Sequence, residues 1–356
     1  MQVKNNMGNL SVINKFLYLI NSIFLCLLLF SYLSPFIKPS LFWPISFLGL
    51  LFPIFYIINI LFLSYWIFFW KKQAWSNIII LIIGIQYLGL FIGNQRTNSS
   101  INNSIKVMSY NVRLFNKYEW IPKLNIQSEI FRLFKEVDPD ILCIQEFYTN
   151  EDPSNLNYKY KHLGLQAQKN KWNMAIYSKY PQINKGTISI KGKQMNNTCI
   201  YSDLFIYTDT IRVYNIHLAS NWFNNNDYSF FQNPNQANLR KGIQGIIQRM
   251  KNSYKKRGEE AEIIKTHIEA SPFPVIVTGD FNDTPLSYAY NTISADLQDA
   301  FERSGKGTGK SFVKIPGLRI DYILHDKKLK SYNYIQHKEV LSDHYPISCE
   351  IEILTP

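Results

Sequence analysis

Residues 1–100 of this 356-residue chain contain neither aspartate nor glutamate. Six basic residues do occur there (Lys4, Lys15, Lys38, Lys71, Lys72 and Arg96), so all 26 acidic residues and the other 32 basic ones fall in residues 101–356. The net charge of +12 splits into +6 for each part. An ordinary soluble domain, about a quarter charged and of both signs, is a poor description of such a segment. Cysteine is also scarce: Cys26, Cys143, Cys199 and Cys349 are scattered without a C-x-x-C spacing. This argues against a zinc site and a disulfide framework, and leaves small buried hydrophobes. No internal repeat is present, and no local Ser-His-Asp or Cys-His signature suggests a nucleophilic enzyme.

The acid-free segment holds three apolar runs, about 17–33, 42–70 and 77–92. A spanning helix needs roughly 20 apolar residues. The sequence therefore predicts a transmembrane region over 1–93 with three helices, integral to a cell membrane. A signal peptide is the competing reading of the first run, but no small-residue cleavage site follows it. Lys4 and Lys15 share a side with Lys71 and Lys72, against Lys38 and Arg96, which predicts a cytoplasmic N-terminus and an extracytoplasmic C-terminal domain. Trp43, Trp66, Trp70 and Trp75 are expected at the interfaces. Residues 94–104, rich in Asn and Ser, are expected as a linker.

From residue 105 the pattern changes to short β runs among a few helices. "IKVMSYNV", "DILCIQE", "NMAIYS", "TCIYSDLFIY", "TIRVYNIHL", "PVIVTGD", "GLRIDYILH" and "PISCEIEI" are strand-like, rich in branched and aromatic residues. "IQSEIFRLFKEV" has helical spacing, and a helix of about thirty residues, with a break near "SYKKRGEE", is expected after Pro234. Hairpin-like and helical connections together predict an α+β domain of two stacked mixed sheets covered by helices, over 105–356.

Polar residues recur where these strands end: Asn111, Glu146, Asn215 with His217, Asp280 with Asn282, Asp321, and Asp343 with His344. Each has a plain explanation alone, since Asn and Asp favour turns and a single His is more often structural. Together they offer hard oxygen ligands for magnesium, or for manganese, and imidazoles to polarise a phosphate.

The strings "MSYNVR", "DPDILCIQE", "MAIYSKYP", "YNIHL", "VIVTGDFNDTP", "RIDYILH" and "LSDHYP", in this order, resemble the endonuclease/exonuclease/phosphatase superfamily over residues 105–353. The resemblance implies a four-layer sandwich and a magnesium-dependent hydrolase of phosphate esters. It implies Glu146, Asn111 and Asp343 at the metal, Asp280 activating water, Asn282 holding water and phosphate, and His344 oriented by Asp321. His217 resembles a second histidine, with Asn215 reaching the phosphate. Arg113 departs from the pattern, standing where the apurinic-endonuclease branch has an acid.

Nuclease-type phosphodiester hydrolysis is the expected function, with phospholipid headgroups the alternative substrate and a non-catalytic scaffold a third reading. No protein partner is expected. "SGKGTGKS" (304–311) is a phosphate-loop decoy, because Ser304 stands at the first glycine position; a flexible loop is expected. The aromatic loop 221–234 is expected to pack down or touch substrate.

Overall fold

The computed structural model describes residues 10–94, 103–123, 125–148, 156–164, 172–188, 199–221 and 239–353. The chain divides into two compact units, one made mainly of residues 1–88, the other of residues 89–356 apart from 286–288.

The first unit contains α1 (Val12–Ser31), α2 (Pro39–Phe42), α3 (Pro44–Leu50), α4 (Phe52–Phe68) and α5 (Ala74–Leu88). Among the described residues only α1 is by itself long and apolar enough to cross a membrane. This corrects the expected three-span region. The second run breaks at Leu51, where α3 and α4 meet at 63°, because Pro53 in the first turn of α4 cannot donate the N–H that a continuous helix needs. The third run yields a 15-residue helix, about 22 Å long and short of a bilayer core of roughly 30 Å.

Large apolar side chains face outward on α1, α4 and α5, among them Phe16, Leu19, Leu61 and Ile82. The buried centre is polar. Asn21 Nδ2 donates to Asn77 Oδ1 (3.0 Å) and Asn59 Oδ1 (3.4 Å), and its Oδ1 accepts from Asn77 Nδ2 (2.9 Å) and Trp66 Nε1 (2.8 Å). Trp66 is thus a fully buried part of this cluster and not the interface residue its sequence position suggested.

The second unit carries two six-stranded sheets. The first has the order β13 (Lys330–Gln336), β14 (Ile347–Glu352), β2 (Ser104–Asn111), β3 (Ile141–Tyr148), β5 (Trp172–Ser178), β4 (Tyr160–Gly164). The second has the order β10 (Leu297–Asp299), β12 (Asp321–Asp326), β9 (Val275–Asp280), β8 (Asp209–His217), β7 (Cys199–Ile206), β6 (Gln182–Ile188). A small ladder pairs β1 (Gly93–Asn94) with β11 (Lys306–Gly307). Both sheets are mixed, with one central parallel pair each: β2–β3, joined through α6 (Ile126–Val137), and β8–β9, joined through α7 (Leu239–Glu269). Helix α7 runs unbroken through "SYKKRGEE", where a break was expected.

Strand alternation explains the layers. Ile105 and Val107 of β2, Ile141 and Cys143 of β3, Val213 of β8, Ile276 of β9 and Ile323 of β12 fill the space between the sheets. The opposite faces are covered by α6, through Ile130, Leu133 and Phe134, and by α7, through Ala261 and Ile264, with α8 (Tyr288–Ser294) beside it. Cys143, Cys199 and Cys349 are free and buried, as apolar packing requires. "SGKGTGKS" is ordered: it contains β11 and leads from α9 (Ala300–Ser304) to Ser311, with no helix following, so it is neither a phosphate loop nor an unstructured one. The aromatics of 222–234 lie outside the described residues.

Candidate active site

The inner face of the sandwich changes character along its strands. The apolar layer just described gives way to a neutral polar one, then to charged residues at the strand ends. Ser109, Gln145, Asn215 and Thr278 form the middle layer, all buried. Gln145 Nε2 donates to Ser109 Oγ (3.1 Å) and Asn215 Oδ1 (2.6 Å), while Asn215 Nδ2 donates to the carbonyls of Ile144 and Ala175, both at 2.9 Å. Asn215 therefore stitches the two sheets together. Its two donors are spent on backbone, two residues before His217, which leaves no amide N–H free for the phosphate contact that the resemblance implied.

Two residues further along lie Asn111, His217 and Asp280, with Asp321 beside them, at the carboxyl ends of β2, β8 and β9 and the start of β12. His217 pairs in register with Asp280, and Asp280 with Asp321. Ligand sites of parallel sheets commonly sit outside the carboxyl ends of the strands. Glu146 joins them by breaking alternation. A register irregularity between Ile144 and Phe147, with Glu146 at φ 48°, turns its side chain away from the α6 side. Gly279 needs φ 135° and has no room for a Cβ against the Ile216 backbone, so the chain bends there at Asp280 and Asn282.

Asp280 Oδ2 is the hub. It accepts from Asn111 Nδ2 (3.0 Å) and Asn282 Nδ2 (3.2 Å), and lies 3.5 Å from His344 Nε2 and 3.6 Å from His217 Nε2. His344 is held from behind by Asp321 Oδ2 at 2.9 Å from its Nδ1, and Ser311 Oγ accepts the N–H groups of Ile320 and Asp321, both at 2.9 Å. Burial by itself would lower the His344 pKa, but Asp321 and Asp280 outweigh it and raise it well above the usual histidine value. His217 goes the other way, lowered by burial, and neither of its ring nitrogens has a hydrogen-bond partner among the described residues. Burial pushes the Glu146 carboxyl up to about 7 and also raises Asp280. Two imidazoles with opposite shifts beside raised carboxyls form an acid–base set.

Three expected contacts differ in detail. Asn111 gives its Oδ1 to the Arg113 N–H (3.0 Å) and so presents its NH2 group to Glu146 (3.4 Å) and Asp280. Its oxygen already accepts a backbone N–H, and its nitrogen faces the two carboxylates. Asp343 pairs with Arg113 Nη1 at 3.0 Å, so it is already neutralised. Asn282 donates to Leu218 O (3.1 Å) as well as Asp280, which ties its loop to β8.

The sequence reading missed a second group of residues, on α7. Arg257 Nε donates to Asp283 Oδ2 (2.9 Å), its Nη1 to Ala219 O (2.9 Å), and Glu260 Oε2 accepts the Ala219 N–H (2.7 Å). These two buried side chains fix the chain just after His217 and just after Asn282. The only signal was charge on the apolar side of a helix, which the charge run "KKRGEE" concealed.

The donor set suits a hard divalent cation. Four carboxylates, Glu146, Asp280, Asp321 and Asp343, converge here, with His344 paired to Asp321 and Arg113 to Asp343. The ligand atoms of Asp280, Asp321 and His344 lie within 4.8 Å of one another as a buried cluster. The hydrogen bond between Asp321 and His344 already occupies two of them, so Glu146 is the carboxylate most available to an ion.

The profile of the "Endonuclease/Exonuclease/phosphatase family" matches residues 108–344, and that of a domain of unknown function (DUF8431) matches residues 14–91. No curated protein sequence matches the chain. Among solved structures, the human Nocturnin catalytic domain with bound sulfate is similar at TM-score 0.53 and 16% identity, over 72% of this chain and 97% of that one. D. rerio TDP2 complexed with single strand DNA product aligns at TM-score 0.51 and 15% identity, over 70% and 99%. A mannosyl-6-phosphatase of Bacteroides thetaiotaomicron aligns at TM-score 0.50 and 18% identity, over 69% and 99%. At such identities these likenesses establish the fold.

Proposed function

The chain belongs to the endonuclease/exonuclease/phosphatase family, and from that premise we propose that its second unit hydrolyses phosphodiesters, with nucleic acid as the substrate. The observation that carries this reading is the Asp280 carboxylate facing an imidazole that Asp321 holds from behind. Asp280, raised by burial, takes the proton of an attacking water that Asn282 helps to position. His344 keeps its proton through neutral pH and stabilises the negative charge that builds on the phosphoryl oxygens. His217, neutral and without a hydrogen-bond partner among the described residues, is left to donate to or accept from the substrate on the opposite side. Glu146 would hold magnesium or manganese, with waters completing the shell. Such an ion, when bound, supplies positive charge at the phosphate.

Nucleic acid is favoured by the +6 charge of residues 101–356 and by the single strand DNA bound to the similar TDP2. Phospholipid headgroups are the second reading, favoured by the apolar exterior of the first unit. That exterior, around a buried asparagine cluster, is the arrangement expected in lipid, and it supports attachment of the chain to a membrane through α1. Asn21 bonds α1 to α4 and α5, which argues for a retained helix and against a cleaved signal. The side of the membrane rests on the lysine bias alone. A reporter fused after Pro356 that is active only in the cytoplasm should be silent if the second unit is extracytoplasmic.

Purified full-length chain in detergent, given plasmid DNA or phosphoinositide and sphingomyelin vesicles, should cleave the DNA only when magnesium is present. Turnover of the lipids alone would select the second reading. Turnover of neither would reject hydrolysis and leave the scaffold.

A further inference from the structure

Directly after Asn111 the chain makes an unusual turn. Arg113, Leu114, Phe115 and Asn116 all have left-handed φ, between 43° and 60°, although none is glycine. Each such residue costs roughly 1–2 kcal/mol, and strain of this kind persists only where the surroundings over-determine it. Here Leu114 and Phe115 are buried against α6 and β3, and Asn116 is tied to both N–H and C=O of Ile121 at 2.9 Å. The turn projects the following segment, "RLFNKYEW" (113–120), along the rim of the carboxylate cluster.

That rim alternates cations and aromatic rings. The Arg113 guanidinium lies 4.1 Å over the Trp120 ring, with one edge on Asp343 and the side chain still partly exposed. Lys117 Nζ sits 3.6 Å over Tyr148, two residues beyond Glu146. Tyr118 is 57% exposed and packs against Trp120, ring centroids 5.3 Å apart. Lys314, exposed, extends the cationic edge from the loop whose Val313 N–H bonds to the Asp343 carbonyl (2.8 Å). Glu119 is the one acid in residues 113–120.

Resting on the proposed phosphodiester hydrolysis, we infer that residues 113–120 form a platform for single-stranded nucleic acid. Tyr118 stacks on a base flanking the cleaved bond, held by Trp120, which packs on the core beneath the Arg113 guanidinium, while Arg113 and Lys117 meet the neighbouring phosphates. Aromatic rings interleaved with cations are the chemistry by which single strands are held without sequence preference. Arg113, bonded to Asp343, lies between this platform and the catalytic cluster, and so sets the register of the strand against His344. A duplex hides its base faces and gains nothing from the rings, so single strands are preferred.

The test uses full-length protein in detergent and two substrates: a fluorescein-labelled oligothymidylate, and bis(p-nitrophenyl) phosphate, too small to reach the platform and the cluster together. Tyr118→Ala and Trp120→Ala should each lower the ratio of kcat/KM for the oligonucleotide over the small diester by roughly tenfold, mainly through KM. Trp120→Phe should restore most of it, which separates stacking from a folding defect. Tyr207→Ala, removing an exposed ring from the β7–β8 hairpin, should leave the ratio unchanged. Fluorescence anisotropy reads binding without turnover. A wild type that binds the oligonucleotide through Tyr118 but cleaves nothing would keep the platform and reject hydrolysis. A wild type that cleaves the small diester, with oligonucleotide binding equal in all variants, would overturn the platform and keep hydrolysis. Binding of phosphoinositide vesicles, in place of the oligonucleotide, that depends on Tyr118 and Trp120 would also overturn it.

Discussion

The two units bury polar groups in opposite ways. In the first, Asn21, Asn59, Asn77 and Trp66 are neutral and satisfy one another: every donor of the three asparagines has an acceptor, with Asn59 Nδ2 taking the carbonyls of Phe24 and Phe55. In the second, ionisable groups are crowded together: Asp280 accepts from Asn111 and Asn282 with His344 and His217 at 3.5 and 3.6 Å, Glu146 lies 3.8 Å from His217, and His217 makes no hydrogen bond among the described residues. A satisfied network adds specificity to a fold, whereas buried groups left without partners raise the energy of the empty site and are retained where a ligand completes them. On that ground the asparagine cluster reads as structure and the carboxylate cluster as function.

Breaking the second cluster should hurt activity far more than stability. Asp280→Asn or His344→Ala should each lower phosphodiester turnover by at least about a hundredfold, the loss of one contact to a charged transition state. Asp280→Asn should leave the melting temperature close to wild type, whereas His344→Ala also takes the counter-ion from buried Asp321 and should lower it, and calorimetry beside a turnover assay reads both. Near-normal turnover in either purified variant would reject the assignment.

The α7 pair should behave in the reverse manner. Arg257→Ala leaves Asp283 buried without its counter-ion and should cost about 3–5 kcal/mol of stability. Urea denaturation of the variant measures this directly, and an unchanged midpoint would mean that the two loops are held by other contacts.

Asn21→Leu tests the first unit. It strips partners from Asn77 and Trp66 and should cost on the order of 1–2 kcal/mol in detergent. Hydrolysis by the second unit should persist in that variant, and a parallel loss of activity would couple the two regions.

A further effect depends on pH. Burial pushes Glu260 from 4.5 up to about 7, against the opposing pull of the Ala219 N–H and Lys256. Between those values the folded chain holds a proton that the unfolded chain has released, so stability falls as pH rises through the window. Glu260→Gln should flatten that fall by about 3 kcal/mol between pH 4.5 and 7, read from chemical denaturation at several pH values. An unaltered slope would assign the titration to another group.

Much of the sandwich was legible from residue patterns. Alternation in "IKVMSYNV", "TIRVYNIHL" and "VIVTGD" placed strands at β2, β8 and β9, and polar residues at their ends flagged Asn111, His217 and Asp280 before any geometry existed. Helix spans were less legible. Hydropathy counts side chains and ignores backbone donors, so it joined α3 and α4 across Pro53 and set α5 about three to four residues too far along the chain.

What the sequence by itself determined was the division into an acid-free apolar segment and a β-rich domain, together with the inventory of acids, amides and imidazoles at strand ends. Those follow from local composition and periodicity. Only the tertiary structure decided which atom of each faces which. Asn111 turns its nitrogen to the carboxylates because Arg113 N–H holds its oxygen, Asp343 is claimed by Arg113, and Asn215 sits one layer too deep. Hydrogen-bond direction and depth in a sandwich depend on partners brought together from distant parts of the chain, such as Asn111 and Asp280, 169 residues apart, and no local pattern encodes them.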